Sequence, residues 1–252
     1  MSFNLALILT VLTLFSGVVV LLNRFVWKLP QDAKGGGLET LVEYSRSFFP
    51  VLLLVLVLRS FVFEPFRIPS GSMMPTLLQG DFIFVKKYSY GLRLPVLETK
   101  IVETGEPQRG DVVVFRLPAS PNINYIKRIV GLPGDTVEYR NHRLTINGEL
   151  VDLQRAADYR VNAPRYIEKL GEDDHDLYIH SPRNRGGEGT YVVPDGHFFV
   201  MGDNRDRSKD SRFLDEVGYI PETHLVGEAA RIWLHLDGFS APRWERIGMK
   251  IE

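Results

Sequence analysis

The chain has 252 residues, is 44% hydrophobic and carries a formal net charge of −1, which leaves enough apolar content for a good-sized core plus membrane segments. That charge balance excludes the basic footprint of a nucleic-acid binder, and the lack of any cysteine excludes disulfides, thiolate-ligated zinc and a cysteine nucleophile. An oxidising compartment permits disulfides without requiring them, so the compartment has to be read from other features.

Phe3 to Leu22 is twenty residues without a charge, and at ~1.5 Å rise per residue such a helix spans a ~30 Å hydrocarbon core. A cleaved signal peptide fits poorly, because no Lys or Arg precedes the run and no small-x-small cleavage site follows it. Arg24, Trp27 and Lys28 come next, in the manner of an interfacial anchor. A second apolar stretch, Phe48 to Phe63, contains Arg59, and a helix starting near Tyr44 brings it to spanning length. Arg59, about one turn from the end, is placed to snorkel to the head groups, and Pro65 stops the helix. Val51–Leu58 is apolar all round, which argues against a buried helix of a globular core. The segment between the two stretches carries Arg24, Lys28, Lys34 and Arg46, whereas the N-terminus carries no Lys or Arg. The positive-inside rule then puts that segment in the cytoplasm and both ends outside. Gly35-Gly36-Gly37 reads as a flexible break.

After Phe66 the pattern changes to short β-branched and aromatic runs between Gly/Pro turns. It predicts strands over Asp81–Lys87, Asp111–Phe115, Tyr125–Val130, Thr136–Tyr139, Arg143–Ile146, His197–Met201 and Leu225–Trp233. Asn147-Gly148 is a strong hairpin signal, and Leu132-Pro133-Gly134-Asp135 a tight turn. Val151 to Thr190 is charged and weakly periodic. Within it, Glu172-Asp173-Asp174-His175-Asp176 reads as a solvated acidic loop, since its spacing matches no Ca²⁺ loop, and residues 183–189 read as an exposed loop. The histidines form no His-x-x-x-His pair, so no metal is assigned.

Three segments carry chemistry. Pro69-Ser70-Gly71-Ser72-Met73-Met74-Pro75-Thr76 places two serines about a glycine, with prolines fixing the chain on either side; Ser-Gly-Ser alone is common in turns, and paired methionines are common core filler. In Tyr125-Ile126-Lys127-Arg128-Ile129-Val130-Gly131, period-two alternation puts Tyr125, Lys127 and Ile129 on one face. At an exposed sheet edge Lys127 is an ordinary charged residue; on a buried face, desolvation lowers its pKa and makes it a competent base. Residues 202–212, Gly-Asp-Asn-Arg-Asp-Arg-Ser-Lys-Asp-Ser-Arg, alternate acids with arginines, a composition suited to a loop that fixes its own shape by internal hydrogen bonds.

Together these segments resemble the bacterial type I signal peptidases. The residues that carry the resemblance are Glu64-Pro65-Phe66 leading to Pro-Ser-Gly-Ser-Met-Met-Pro-Thr, then Tyr-Ile-Lys-Arg with Gly-Leu-Pro-Gly-Asp, then Gly-Asp-Asn-Arg-Asp with Ser208 and Asp210-Ser211-Arg212. In this order and context the set is highly specific, and it extends from the apolar stretches to Trp233. The resemblance implies a mainly β fold, in which two N-terminal transmembrane helices precede an extracytoplasmic all-β catalytic domain. The expected organisation is a transmembrane helix over 1–23, a cytoplasmic loop over 24–47, a second transmembrane helix over 48–64, and a catalytic domain over 65–252 with 151–190 as a variable insert.

The same resemblance implies a serine endopeptidase that removes N-terminal signal peptides, with small residues at the first and third positions before the cut. Ser72 is the implied nucleophile and Lys127 its general base. The Ser70 hydroxyl and the Ser72 backbone N–H form the oxyanion hole, Ser208 orients Lys127, and Asp210 with Arg212 supports the last segment. Phe66, Ile68, Leu77, Tyr125 and Ile126 are expected to wall the substrate pockets. No cofactor is implied. The implied partners are signal peptides of secreted preproteins, membrane lipid and a nearby export translocon, at the bacterial inner membrane with the catalytic domain on its outer side. The segment Arg24 to Ser47 is short for this family, and some members carry cysteines that this chain lacks; neither departure touches the catalytic segments. A self-cleaving Ser/Lys protease is disfavoured by the two apolar stretches, and an inactive signal-peptide-binding module by the presence of every catalytic candidate.

Overall fold

The computed structural model describes residues 5–30, 35–94, 96, 99–156, 164–171, 173–180, 186–236, 238 and 242–252. Phe3, Lys34, Glu172 and Arg183, which enter the readings above, lie outside the described residues. The chain divides into two compact units, one from residues 1–64 and 91–104, the other from 65–90 and 105–252.

The first unit contains two apolar helices. α1 covers Leu5–Leu22 and continues through a π-helical turn at Asn23–Trp27; α2 covers Gly37–Val57 and continues through a second such turn at Leu58–Val62. Both are long and apolar enough to cross a membrane. α2 begins at Gly37 rather than near Tyr44, with Gly36 in extended conformation as its cap and Glu39 in its first turn, where an acid favours the positive end of the helix dipole. Arg46 consequently lies on the helix. The helices pack with small and polar residues inward: Thr13, Ser16 and Val19 of α1 are buried, as are Val42 and Ser45 of α2, and a Cβ at Gly17 would stand 2.8 Å from the Phe49 ring. The Thr13 and Ser16 hydroxyls donate to the carbonyls of Leu9 and Leu12 at 2.7 and 2.8 Å, which satisfies them without water. Leu7, Val11, Leu14, Phe15, Val18 and Leu21 face outward. Apolar outside and small inside is the distribution a lipid solvent favours.

The second unit is mainly antiparallel β. Its largest sheet has seven strands in the order Phe63–Arg67, Asp81–Lys86, Leu225–His235, Val112–Leu117, Ser120–Gly131, His197–Met201 and Ile220–Pro221. A four-stranded sheet runs Gly189–Val192, Thr136–Arg140, Arg143–Ile146, Glu149–Leu150, and a three-stranded one Leu153–Arg155, Arg165–Leu170, Asp173–Tyr178. All seven strands expected from alternation are present within a few residues, the largest change being the extension of Tyr125–Val130 to Ser120–Gly131. The turn signals act as their chemistry dictates. Asn147 and Gly148 both take positive φ, 53° and 84°, as a two-residue hairpin turn requires, and the Asp135 carboxylate accepts from the Leu132 N–H at 2.6 Å to close its turn.

The acidic-loop reading of residues 172–176 is corrected. Asp173–Tyr178 is a strand paired antiparallel with Arg165–Leu170, and Glu168 lies opposite His175. Both of these polar residues are buried. The acids Asp173 and Asp174 do face solvent and Asp176 is half-buried, which is why the segment looks solvated in sequence, whereas His175, Leu177 and Tyr178 point inward.

Three clusters form the core of this unit. One joins Ile68, Met73 and Leu77 to Ile83, Val112 and Ile126. A second joins Val113, Phe115 and Ile129 to Phe198 and Val200, with Tyr125 packed against it. The third joins Val130 and Tyr139 to Phe199 and Met201. Strand Ser120–Gly131 contributes to all three, so its side chains are inward on both faces from Ile126 onward.

Candidate active site

The strand Ser120–Gly131 lies between Val112–Leu117 and His197–Met201, with Lys127 opposite Val113 and Arg128 opposite Met201. A lysine in the centre of a sheet, rather than at its edge, loses its water. Lys127 is 3% exposed. Its Nζ hydrogen-bonds Ser72 Oγ at 2.8 Å and the Ile126 carbonyl at 2.7 Å, and it stands 5.3 Å from the centre of the Tyr125 ring. Burial pushes its pKa down to about 8; Asp210 and Asp203 oppose this and Arg212 adds to it. The amine is therefore neutral in a substantial fraction of molecules near pH 8.

Ser72 lies on the turn after the strand Phe63–Arg67. The turn is pinned below by Met73, which is fully buried in the first cluster, and closed by the Met74 N–H donating to the Gly71 carbonyl at 3.2 Å. Ser70 Oγ lies 3.4 Å from Ser72 Oγ, so both hydroxyls occupy one side of the turn. Ser70 is exposed and Ser72 half-buried, an arrangement open to an approaching peptide.

Residues 202–212 hold this turn from the other side. The Asn204 backbone N–H donates to the Ser72 carbonyl at 3.0 Å, and its Nδ2 donates to the Gly71 carbonyl at 2.8 Å. Asp203 accepts a forked pair from Arg128, Nε at 2.9 Å and the terminal nitrogen at 2.8 Å, and also accepts from Thr76 Oγ1 at 2.5 Å. Bidentate pairs of this kind fix geometry as well as charge. Asp210 accepts from the Gly202 N–H at 3.0 Å and from Arg212 at 2.8 and 2.9 Å. Burial alone would raise the carboxyl pKa of Asp203 and of Asp210; Arg128 and Arg212 respectively overcome it and hold both groups below the usual range. At Gly202 a Cβ would stand 2.2 Å from Ser208 Oγ and 2.6 Å from the Ser72 carbonyl oxygen, so no larger residue fits there without moving the site.

The structure thus brings Ser70, Ser72 and Lys127 together, with Asp210 and Arg212 paired behind them. Ser208 is buried against Gly202; its hydroxyl makes no hydrogen bond to Lys127 and instead lies near enough to Asp210 to help hold that carboxyl down. Phe66, Ile68, Leu77 and Ile126 belong to one cluster, and Tyr125 packs on the next. Phe66 and Tyr125 keep exposed surface, whereas Leu77 is wholly enclosed. Asp203, Asn204 and Arg128 lie within the motif segments, but nothing in the local sequence assigns them a role. Their function depends on which backbone they face, and no local pattern encodes that.

A family profile described as "Signal peptidase, peptidase S26" matches residues 41–234. Signal peptidase I of Pseudomonas fluorescens is 52% identical over 229 residues, covering 83% of this chain and 79% of that protein. Signal peptidase I of Pseudomonas aeruginosa is 49% identical over 224 residues, with the same coverage of 83% and 79%. A crystal structure of a signal peptidase I from Enterococcus faecalis V583 shares 30% sequence identity, covers 50% of this chain and 98% of its own, and has a TM-score of 0.33.

Proposed function

The chain belongs to the signal peptidase family, peptidase S26, and is a serine endopeptidase that removes signal peptides; from that premise we propose that Ser72 is its nucleophile and Lys127 its general base. The observation that carries the assignment is the 2.8 Å contact of a buried lysine amine with a serine hydroxyl. A serine hydroxyl is a weak nucleophile until a base takes its proton, and a lysine kept neutral by burial does this without histidine.

In the neutral state the Ser72 hydroxyl donates to Nζ. Its oxygen attacks the scissile carbonyl, and Lys127 takes the proton. The oxyanion is stabilised by the Ser72 N–H and the Ser70 hydroxyl, donors of a type worth roughly 10²–10³-fold in rate each. Lys127 then gives its proton to the leaving amine of the mature protein and the acyl-enzyme remains on Ser72; a water that loses its proton to the Lys127 amine attacks the ester, and Lys127 returns that proton to the Ser72 oxygen as the signal peptide leaves. Ser208 is the residue assigned to orient Lys127, by its place in the motif, and Asp210 with Arg212 keeps that segment in place. Phe66, Ile68, Tyr125 and Ile126 shape shallow pockets for small residues at the first and third positions before the cut, and Leu77, wholly enclosed, packs behind them rather than lining them.

The two apolar helices cross the bacterial inner membrane, the segment 24–47 is cytoplasmic, and residues 65–252 face outward with lipid and the export translocon nearby. Ser72 follows the end of the helical segment at Val62 by ten residues. Incubation of the purified chain with a synthetic signal peptide tests the chemistry: wild type yields two products, Lys127→Ala yields none. A complex without product from the wild type identifies a binding module instead.

A further inference from the structure

The insert at 151–190 has no part in the dyad, yet one of its hairpins grips the segment that holds the nucleophile. The hairpin consists of Arg165–Leu170 and Asp173–Tyr178, antiparallel, with Glu168 opposite His175. Glu168 points inward and is 1% exposed. It takes a forked pair from Arg205, one nitrogen donating to Oε1 at 2.8 Å and the other to Oε2. Arg205 is itself 2% exposed, so neither charge has water as an alternative partner. At the end of the hairpin the Tyr178 N–H donates to the Asp203 carbonyl at 2.9 Å. Two residues on, His180 Nε2 meets Asn204 Oδ1 at 2.8 Å, which orients that amide so that its nitrogen points at the Gly71 carbonyl. Three consecutive residues, 203, 204 and 205, are therefore each held by the hairpin or by His180 just beyond it, and the middle one holds the carbonyls of Gly71 and Ser72.

We propose that this hairpin is a template for the active site, with Glu168 and His180 as positioning residues that set Ser72 against Lys127 through Arg205 and Asn204. Neither residue touches the dyad. Glu168 fixes the path of the backbone at Arg205, whose carbonyl in turn accepts from Arg212 at 2.7 Å, the same arginine that pairs with Asp210. His180 fixes the rotamer of Asn204. His175 sits between two carboxylates, its Nε2 3.4 Å from Glu168 and 3.9 Å from Asp203; burial, followed by the Arg128 charge, lowers its pKa to about 4, so at neutral pH it leaves the Glu168–Arg205 and Asp203–Arg128 pairs balanced.

The inference rests on the Ser72/Lys127 reading, and the test separates the two. The full chain in detergent is assayed for kcat and KM on a synthetic signal peptide, with near-ultraviolet circular dichroism reporting folding. The variants are Glu168→Gln, His180→Ala, the uncharged pair Glu168→Leu with Arg205→Met, and Ser72→Ala as control. The expected result for folded Glu168→Gln or the uncharged pair is a kcat lower by about 10²-fold, the scale of a ~1 Å misplacement, with KM within about twofold. His180→Ala is expected to lower kcat less, in the same KM-independent manner. Wild-type kcat in the folded variants overturns the proposal, as does a change confined to KM. Failure of both Glu168 variants to fold also overturns it, because the pair then serves the stability of the whole unit rather than the site. Cleavage by Ser72→Ala sinks the dyad instead, whatever the Glu168 variants do.

Discussion

Asn204 donates from its backbone N–H to the carbonyl of Ser72 at 3.0 Å, so the nucleophile's own peptide group is held by a segment far away in sequence. Ser72 and Lys127 come from separate strand-and-turn elements, and the segment 202–212 sits across both. It fixes the Ser72 turn through Asn204 and places the Asp203 and Asp210 carboxylates within electrostatic reach of the Lys127 amine.

Ser72→Ala and Lys127→Ala are each expected to abolish signal-peptide cleavage while leaving the fold intact. The two act as one unit, so the double variant is expected to be no worse than either single one. Kinetics on the synthetic signal peptide check this, and substantial turnover by either single variant removes the dyad.

Gly202→Ala tests the packing behind the nucleophile. The added methyl would meet Ser208 at 2.2 and 2.6 Å and the Ser72 carbonyl oxygen at 2.6 Å, distances that force movement of the turn or of Ser208. A strained insertion of this kind costs roughly 1–3 kcal/mol, and a shift of the nucleophile by ~1 Å lowers rate by about 10²-fold. Denaturant unfolding and kcat together check it. Normal kcat with normal stability would mean that the turn yields freely.

How much of this was legible in the sequence depended on whether a signal is local. Alternation in His197–Met201 and the Asn147-Gly148 turn report on their own neighbourhood, and both elements formed where expected. Alternation also put Tyr125, Lys127 and Ile129 on one face, but not which face is inward; that depends on the strands on either side. The start of α2 at Gly37 was hidden because Leu38 to Arg46 mixes charges with apolar residues, while helix propensity and a capping glycine carry it. His175 fell in a stretch that reads as a solvated loop, and its buried neighbour Glu168 carries no local signal at all, for a sharper reason. A buried ion pair is defined by its partner, and Arg205 lies 37 residues away.

The buried carboxylates set an acid limit. Asp203, Asp210 and Glu168 would each be pushed up by burial, but Arg128, Arg212 and Arg205 hold them below the usual carboxylate range. A carboxylate with depressed folded pKa contributes stability that is fully present above its unfolded value of ~4 and is lost as pH falls through the folded value. Unfolding free energy measured from pH 7 downward is therefore expected to stay level to about pH 5 and fall steeply below about pH 4. Asp210→Asn is expected to flatten part of that fall while being less stable at pH 7, since Arg212 is then left buried without its charge partner. A wild-type curve without an acid limb would contradict these pairings.

Topology follows from charge asymmetry. The proposed orientation has both ends outside and only the segment 24–47 in the cytoplasm, because Arg24, Lys28, Lys34 and Arg46 are concentrated there. Protease added to the outside of spheroplasts is expected to digest the domain after Pro65. Its protection in intact spheroplasts would reverse the orientation.

Lys127 links catalysis and stability through one proton. Its folded pKa is lowered to about 8, chiefly by burial, against an unfolded value of ~10.4. Acylation needs the neutral amine, so kcat/KM is expected to rise with pH and level off above about 8. The stability sign runs the same way. Between the two values the unfolded chain binds the proton and the folded chain does not, so stability rises with pH across that window. Below about 8 the folded state carries a buried ammonium, a penalty of roughly 3 kcal/mol at ~1.4 kcal/mol per pKa unit. Lys127→Met keeps the length of the side chain and removes the charge. It is expected to be inactive, and more stable than wild type at pH 7 by up to roughly 3 kcal/mol, with the difference vanishing toward pH 10.5. Acylation rates from pH 5 to 10 and denaturant unfolding at both ends of that range check the two halves. A flat rate profile for chemistry-limited acylation would remove Lys127 as the titrating base, and a Met variant less stable than wild type at pH 7 would mean that the hydrogen bonds to Ser72 and Ile126 outweigh the desolvation.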